Sequence, residues 1–225
     1  AVIQAGAVAY EVSVADLTSD SAFYSSLTTA KMTVTDTAAN LTGGNALLAS
    51  AVDINVSDAT TVANAPTIRA LSAVDGEVKF SINDTAANIV AASGVGSLAD
   101  AAINITVTDA VTFAQAATII AEANSGSTSY SITDVDTNIA VNAAALNGAT
   151  NIVVTGATGI TSAQAQSLLS ATNSGTTTIA LATGTSAQLA ALALGANDTV
   201  TSLTPSDTPT VAQAAAMLAI GTITS

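Results

Sequence analysis

Cysteine, histidine and tryptophan are all absent from the 225 residues. Thiol chemistry, disulfides, Cys/His zinc sites and imidazole acid–base catalysis are therefore excluded. Positive charge is scarce as well: Lys31, Arg69 and Lys79 stand against 16 acidic side chains, for a net charge of −13. Such a field repels phosphate backbones and anionic lipid headgroups, so neither nucleic acid nor a membrane surface is an expected partner. No apolar run reaches the ~18 residues that suggest a membrane span, and insertion is not expected. Aromatic residues make up only 3% of the chain, although 49% of it is hydrophobic. The apolar mass is Ala, Val, Ile and Leu, side chains that fill a thin core between closely spaced elements.

What the chain does have is repetition. One series reads TAANL from Thr37, TAANI from Thr85, VDTNI from Val135 and TSAQL from Thr185, at intervals of 48, 50 and 50 residues. A second series lies between these copies: TVANA from Thr61, TFAQA from Thr112, TSAQA from Thr161 and TVAQA from Thr210, at intervals of 51, 49 and 49. Two motifs that keep the same period over four copies each define a repeat architecture.

A short alternating run precedes most copies. MTVTD ends at Asp36, DINVSD at Asp58, KFSIND at Asp84, INITVTD at Asp109 and YSITD at Asp134, while NIVVTG ends at Gly156. Alternation with period two predicts strands with one buried face. The inward set is Met32, Val34, Ile54, Val56, Phe80, Ile82, Ile105, Val107, Tyr130, Ile132, Ile152 and Val154. After each aspartate the spacing turns helical, as at Phe113, Ala116, Ala117 and Ile120 and, less cleanly, at Ile160, Gln164 and Leu168. Asn-Ser-Gly then closes the helix twice, at Gly126 and Gly175, where a left-handed glycine is expected.

A strand followed by a helix and a return to the next strand implies a right-handed crossover and a parallel sheet. The predicted fold is α/β: a right-handed repeat solenoid of leucine-rich-repeat type, with one parallel strand and one short helix per ~25-residue coil. Coils pair into a double repeat of ~50 residues. The alternative puts both strands of a double repeat into one larger coil, giving two sheets. The whole of 1–225 reads as one array, with double repeats at about 31–78, 79–128, 129–177 and 178–225 after a partial repeat at 1–30. Neither end carries an evident polar cap, so a slice of a longer solenoid is expected.

Three sets of residues are candidates for function. Asp36, Asp58, Asp84, Asp109 and Asp134 align where strand turns to helix. They suit helix N-capping, and a column of carboxylates also suits calcium. Capping is preferred, because Gly156 and Gly184 replace the aspartate and the glycine-rich calcium nonapeptide is missing. Asn40, Asn88, Asn138 and Gln188 share one motif position and are expected to form a side-chain ladder satisfying backbone groups. The outward face carries Thr33, Thr35, Ser81, Asn83, Thr106, Thr108, Ser131 and Thr133, a polar field that solubilises the sheet or meets a glycan or ice surface. Glu11, Glu77 and Glu122 are scattered without a repeated partner, so no catalytic residue is assigned and no enzyme is expected.

The run from Asp84 to Asp134, DTAANIVAASGVGSLADAAINITVTDAVTFAQAATIIAEANSGSTSYSITD, resembles the strand repeats of very large exported proteins of Gram-negative bacteria. These are surface-layer-like and RTX-type adhesin or matrix proteins. The resemblance implies a secreted or cell-surface location and a structural or adhesive role, with calcium as a cofactor to test. It also implies neighbouring repeats or domains of one larger protein as partners, alongside self-association or a surface glycan.

Overall fold

The computed structural model describes residues 9–26, 31–71, 77–94, 96–139 and 142–224. It is an α/β chain in which eleven described strands alternate with short helices, and every described strand pairing is parallel. The chain divides into two compact units. The first comprises Ala1–Asp84, Ala91–Thr106 and Glu122–Ser127; the second comprises Thr85–Val90, Val107–Ala121 and Thr128–Ser225.

In the first unit the strands β1 (Ala9–Val12), β2 (Lys31–Asp36), β3 (Asp53–Thr60) and β4 (Val78–Asp84) pair in chain order. Helices α1 (Val14–Ser19), α2 (Ser21–Ser25), α3 (Ala38–Thr42) and α4 (Ala65–Arg69), with a 3-10 turn at Ala46–Ser50, fill the connections. Met32, Val34, Ile54, Phe80 and Ile82 face inward and are almost fully buried, as their alternation predicts. Val56 does not follow the prediction. The β3–β4 register runs Asn55↔Lys79 and then Ala59↔Ser81, so β3 carries two extra residues in a bulge. The bulge moves Val56 to a half-buried position and sends Thr60 into the core instead. It also carries β3 beyond Asp58, the residue expected to close it.

Strand β5 (Ile105–Val111) starts in the first unit and ends in the second. The second unit then holds α5 (Ala86–Ala91, its last residue in the first unit), α6 (Phe113–Ile119), β6 (Thr128–Val135), α7 (Ala143–Gly148), β7 (Ile152–Thr155), β8 (Ile160–Thr161) and α8 (Ser162–Leu169). It continues through β9 (Thr177–Gly184), α9 (Ser186–Ala190), β10 (Thr199–Pro205), α10 (Val211–Ile220) and β11 (Thr222–Ile223). Here β6, β7, β9, β10 and β11 pair in order, and β8 adds to β9.

Ile160, read above as helical, belongs to β8 and pairs with Ala182; the helix begins two residues later. In α6 the buried face is Phe113, Ala116 and Ile119, whereas Ala117 and Ile120 are half-buried. The VDTNI copy yields only a 3-10 turn, Asp136–Asn138, and the TVANA copy delays its helix until Ala65, with Pro66 in the first turn. Most of these helices have five to eight residues, too short to persist alone in water. All but α2 bury apolar side chains, and a fully buried Leu or Ile contributes about 1.5–3 kcal/mol. The expected uncovered N-terminal run starts within residues 1–8, outside the described residues.

Candidate functional site

The helices that follow Asp36 and Asp109 are N-capped by a hydroxyl and not by the aspartate. Thr37, Thr112 and Thr185 accept the backbone N–H of Asn40, Gln115 and Gln188 within their own helices. Each of the five candidate aspartates reaches back, to the segment one strand earlier. The N–H of Val14 donates to Asp36 (2.9 Å), Ala38 to Asp58 (2.7 Å) and Val62 to Asp84 (2.9 Å). Likewise Ala86 donates to Asp109 (2.6 Å) and Phe113 to Asp134 (3.0 Å). Apart from Val62, the donor is the first residue of a helix. Such a helix start thus receives two caps, a hydroxyl from its own segment and a carboxylate from the next. Both satisfy N–H groups that a helix leaves unpaired, and the carboxylate also meets the positive end of the helix dipole.

Asp207 belongs to the same column and was missed in the sequence. It accepts from the backbone of Ser186 (2.6 Å) and from the Ser186 hydroxyl (2.7 Å). Its segment ends in Ser-Asp, as that of Asp58 does, but Pro205 closes the strand and interrupts the run ahead of it. At the two glycine positions the column changes. Gly156 has φ +122°, and a side chain there would strike the carboxyl of Asp136, which reaches forward to the N–H groups of Thr158 and Gly159 (2.8 Å each). Gly184 faces Ser162, whose hydroxyl a Cβ would approach to 2.9 Å.

Two of the motif asparagines act on the aspartates. Asn40 donates to Asp36 (2.7 Å) and Asn138 to Asp134 (3.0 Å), so each is a clamp within one segment and not a rung between segments. Asn88 donates its backbone N–H to Thr85 (3.4 Å). Gln188 closes a capping box on the N–H of Thr185 (3.0 Å), the same arrangement as Gln115, Gln164 and Gln213.

A second column runs along the starts of the strands. Asn104 accepts from the backbone and hydroxyl of Ser127 (2.9 and 3.0 Å), and Asn151 from those of Thr176 (3.0 and 3.2 Å). Asp53 accepts from Glu77 (3.1 Å), and Asp198 reaches back to Thr177 (3.0 Å). For Asp53, Asn104 and Asn151 the sequence signal was a place directly before the first inward residue, Ile54, Ile105 or Ile152; Asp198 stands two residues before Val200. This column explains Gly126 and Gly175, which were expected to be left-handed. Neither has a positive φ. Each lies where a Cβ would collide with the amide oxygen of Asn104 or Asn151 and come within 2.8 or 2.7 Å of the carbonyl of Ile103 or Thr150. They are glycines because the neighbouring segment is too close.

Hydrogen bonding keeps several of these carboxyls ionised further into acid than usual. Asp36 is held below the ordinary carboxylate range by the Asn40 amide, then by the N–H groups of Thr37 and Val14, against an opposing effect of burial. Asp207 is held down by the Ser186 hydroxyl and N–H, and Asp100 by the N–H groups of Gly96 and Ala123. The scattered glutamates also act locally: Glu122 accepts from Gly94 and the Ser97 hydroxyl (3.1 Å each), Glu11 from Thr35 (3.1 Å), and Glu77 lies 3.7 Å from Lys79 at the surface. Among the described residues, no three His, Cys, Asp or Glu side chains gather into a group able to hold a metal ion. None of the described helices is long and apolar enough to cross a membrane.

On the outward face, Thr106 and Thr108 are exposed. The second unit lines up further hydroxyls: Thr161 pairs with Thr183, Thr183 pairs with Thr204, and the hydroxyls of Thr204 and Thr224 are 2.7 Å apart. No family model, curated protein or solved structure matches the chain.

Proposed function

We propose that the chain is a structural or adhesive module, a spacer, stalk or surface-layer element, within a larger secreted or cell-surface bacterial protein. In this reading the parallel segments wind as a right-handed solenoid of ~25-residue coils, and the partner of each coil is the next coil. One observation supports it above all: the recurring Asp and Asn side chains are engaged by backbone N–H groups of adjoining segments. Residues that recur for stacking need no substrate to explain them. The expected outcome, against a panel of soluble glycans, matrix polymers and chromogenic glycosides, is neither saturable binding nor turnover.

A glycan- or surface-binding module is the second reading, favoured by the threonine row Thr161, Thr183 and Thr204. It requires saturable binding that Thr106→Lys with Thr108→Lys, both at exposed positions, abolishes without moving the melt. A calcium-stabilised repeat is tested by melting in excess calcium and in chelator at matched ionic strength. Calcium at 100 times its dissociation constant would add about 2.7 kcal/mol. The stacking reading expects no shift, since the carboxylate oxygens of Asp36 and Asp134 already accept two N–H groups and a side-chain amide each.

A further inference from the structure

Asn147 and Gly148 form the one Asn-Gly pair in the chain, and both are exposed at the end of α7, within the second unit. The glycine is set by packing. A Cβ there would come within 2.9 Å of the Tyr130 hydroxyl, which donates to the carbonyl of Ala145 (2.6 Å). The asparagine is set by stacking. Its side-chain oxygen accepts the N–H of Thr172 (2.9 Å), in the turn that follows α8. The rest of that turn lies along the same stretch, with Ser174 donating to Ala149 (3.3 Å), Gly175 to Thr150 (2.7 Å) and Thr176 to Asn151 (3.0 Å). Two separate structural demands thus bring together a pair of residues that react with one another.

An asparagine followed by glycine is open to attack by the next backbone nitrogen, because glycine puts no side chain in the way and turns freely. The Gly148 nitrogen bonds to Cγ of Asn147. The bond from Cγ to the side-chain nitrogen breaks, and ammonia leaves carrying the proton of the Gly148 N–H. The product is a five-membered succinimide, and water opens it by breaking one of the two ring C–N bonds. Cleavage at Cγ yields aspartate. Cleavage at the backbone carbonyl yields isoaspartate, with Gly148 joined through the side chain. Among the described residues none accepts from the Asn147 side-chain nitrogen, the group that must leave. Asn124 and Asn173 differ: each precedes serine and donates that nitrogen to a carbonyl, of Ile103 (3.0 Å) or Thr150 (3.3 Å).

The fold supplies the brake. Both residues are in the last turn of α7, and a helix directs each N–H along its axis, toward the carbonyl four residues back. The Thr172 N–H meanwhile fixes the Asn147 oxygen from the other side. Attack requires α7 to lose its last turn and Thr172 to let go. We propose that Asn147–Gly148 is a self-modification site gated by the contact with Thr172, converting to aspartate and isoaspartate when that contact opens and staying intact while it is closed. Isoaspartate carries the chain through an extra backbone carbon, so Gly148 leaves its place beside Tyr130 and the turn at Thr172 loses its seat. Conversion therefore holds the contact open. The inference concerns the chain's own chemistry and stands apart from what the chain binds.

The test is peptide mapping by mass spectrometry after incubation of the whole chain at pH 8 and 37 °C, folded and in guanidinium chloride. In denaturant, Asn147 is expected to convert ahead of every other asparagine. In the folded chain its conversion is expected to be about tenfold slower or more, the retardation that a local opening equilibrium imposes. Thr172→Pro removes the N–H donor and is expected to bring the folded rate toward the denatured one, with an unchanged circular dichroism spectrum. Gly148→Ala with Tyr130→Phe, which makes room for the added methyl, is expected to suppress the product in both states. Equal rates in folded and denatured wild type overturn the gate, and another asparagine converting first in denaturant overturns the site. A folded Thr172→Pro chain no faster than wild type overturns the part given to Thr172. Should that variant fail to fold, hydrogen exchange of the Thr172 amide in wild type replaces it, across urea concentrations below the unfolding transition. Conversion is expected to rise in step with that exchange, and a conversion rate that stays flat while the exchange accelerates overturns the proposal.

Discussion

At the ends of the strands the side chain that reaches the adjoining segment is an aspartate; at their starts it is an asparagine in two of the four cases. Asp36, Asp58, Asp109, Asp134 and Asp207 meet the first N–H of a helix, where backbone dipoles leave a partial positive charge. Asn104 and Asn151 meet the N–H groups of Ser127 and Thr176 in the turns that lead from helix back to strand. No helix start is there to favour an anion, and a neutral amide oxygen serves. Asp53 and Asp198 show that the second column tolerates a carboxylate without requiring one. The two columns therefore do the same geometric work with different electrostatics, and they separate under mutation and under acid.

The largest effect is expected from the buried member of the first column. Asp134 is 8% exposed and accepts three hydrogen bonds, from Phe113, Val135 and Asn138. Asp134→Ala leaves those donors without their acceptor and is expected to cost about 3 kcal/mol. Asn151→Ala, which removes a neutral acceptor at a more open site, is expected to cost about 1 kcal/mol. Urea unfolding of the two variants checks the ratio; equal costs would erase the distinction between the columns.

Next in size is the close approach that the second column imposes. Gly175→Ala drives a Cβ against Asn151 and the Thr150 carbonyl, and overpacking of that kind costs about 2 kcal/mol. Gly44→Ala has the opposite character. Its φ is +81° with no atom within 4 Å of the new Cβ, so only backbone strain opposes it, about 1 kcal/mol. A reversal of that order in thermal melts would mean that glycine serves the turns here and not the stacking.

How much of this was legible in the sequence follows from the range of each interaction. Alternation located the strands because inward burial at Met32, Val34, Phe80, Ile82 and Ile132 is set by neighbours two residues away. It failed at Val56 because a bulge depends on the partner strand, and nothing within DINVSD announces two extra residues. The polar motif positions were visible as repeats, but their partners were not. A cap from Asp109 to Ala86 spans 23 residues, and Asp at the end of a strand reads locally as the cap of the helix just ahead. Gly126 was misread for the same reason: its constraint is Asn104, 22 residues earlier, and not its own φ. Asp207 went unseen because Pro205 interrupts the run ahead of it, while the contact is kept.

Acid separates the columns in a graded way. The carboxyls of Asp36 and Asp207 titrate below the ordinary range in the folded chain, by virtue of the Asn40 amide and the Ser186 hydroxyl first. A lowered folded-state value means their contribution is complete above the unfolded value near 4 and is lost as pH falls through the folded one. Stability is therefore expected to decline below about pH 4, while loss of the −13 charge relieves self-repulsion and acts the other way. Asp36→Asn isolates the first effect. The variant is expected to melt lower than wild type at pH 7, by about 1 kcal/mol, and to converge with it as pH falls through the lowered folded-state value of Asp36. Asn151→Ala is expected to keep a constant deficit across the same range, since its partner does not titrate.

The smallest expected effect has the opposite sign and concerns a polar atom that belongs to neither column. Thr60 is 2% exposed, and its hydroxyl is the one buried side-chain oxygen or nitrogen among the described residues without a hydrogen-bond partner. The β3 bulge put it there, opposite Ile82, in a place that the other segments fill with an apolar residue such as Val111 or Ile160. A hydroxyl taken out of water and left unbonded destabilises the fold, and exchanging it for a methyl group of nearly the same shape removes that cost. Thr60→Val is expected to raise stability by about 0.5–1 kcal/mol. A fall in the melting point instead would mean that the hydroxyl finds a partner in solution, and that the bulge around Val56 and Asp58 rearranges to provide it.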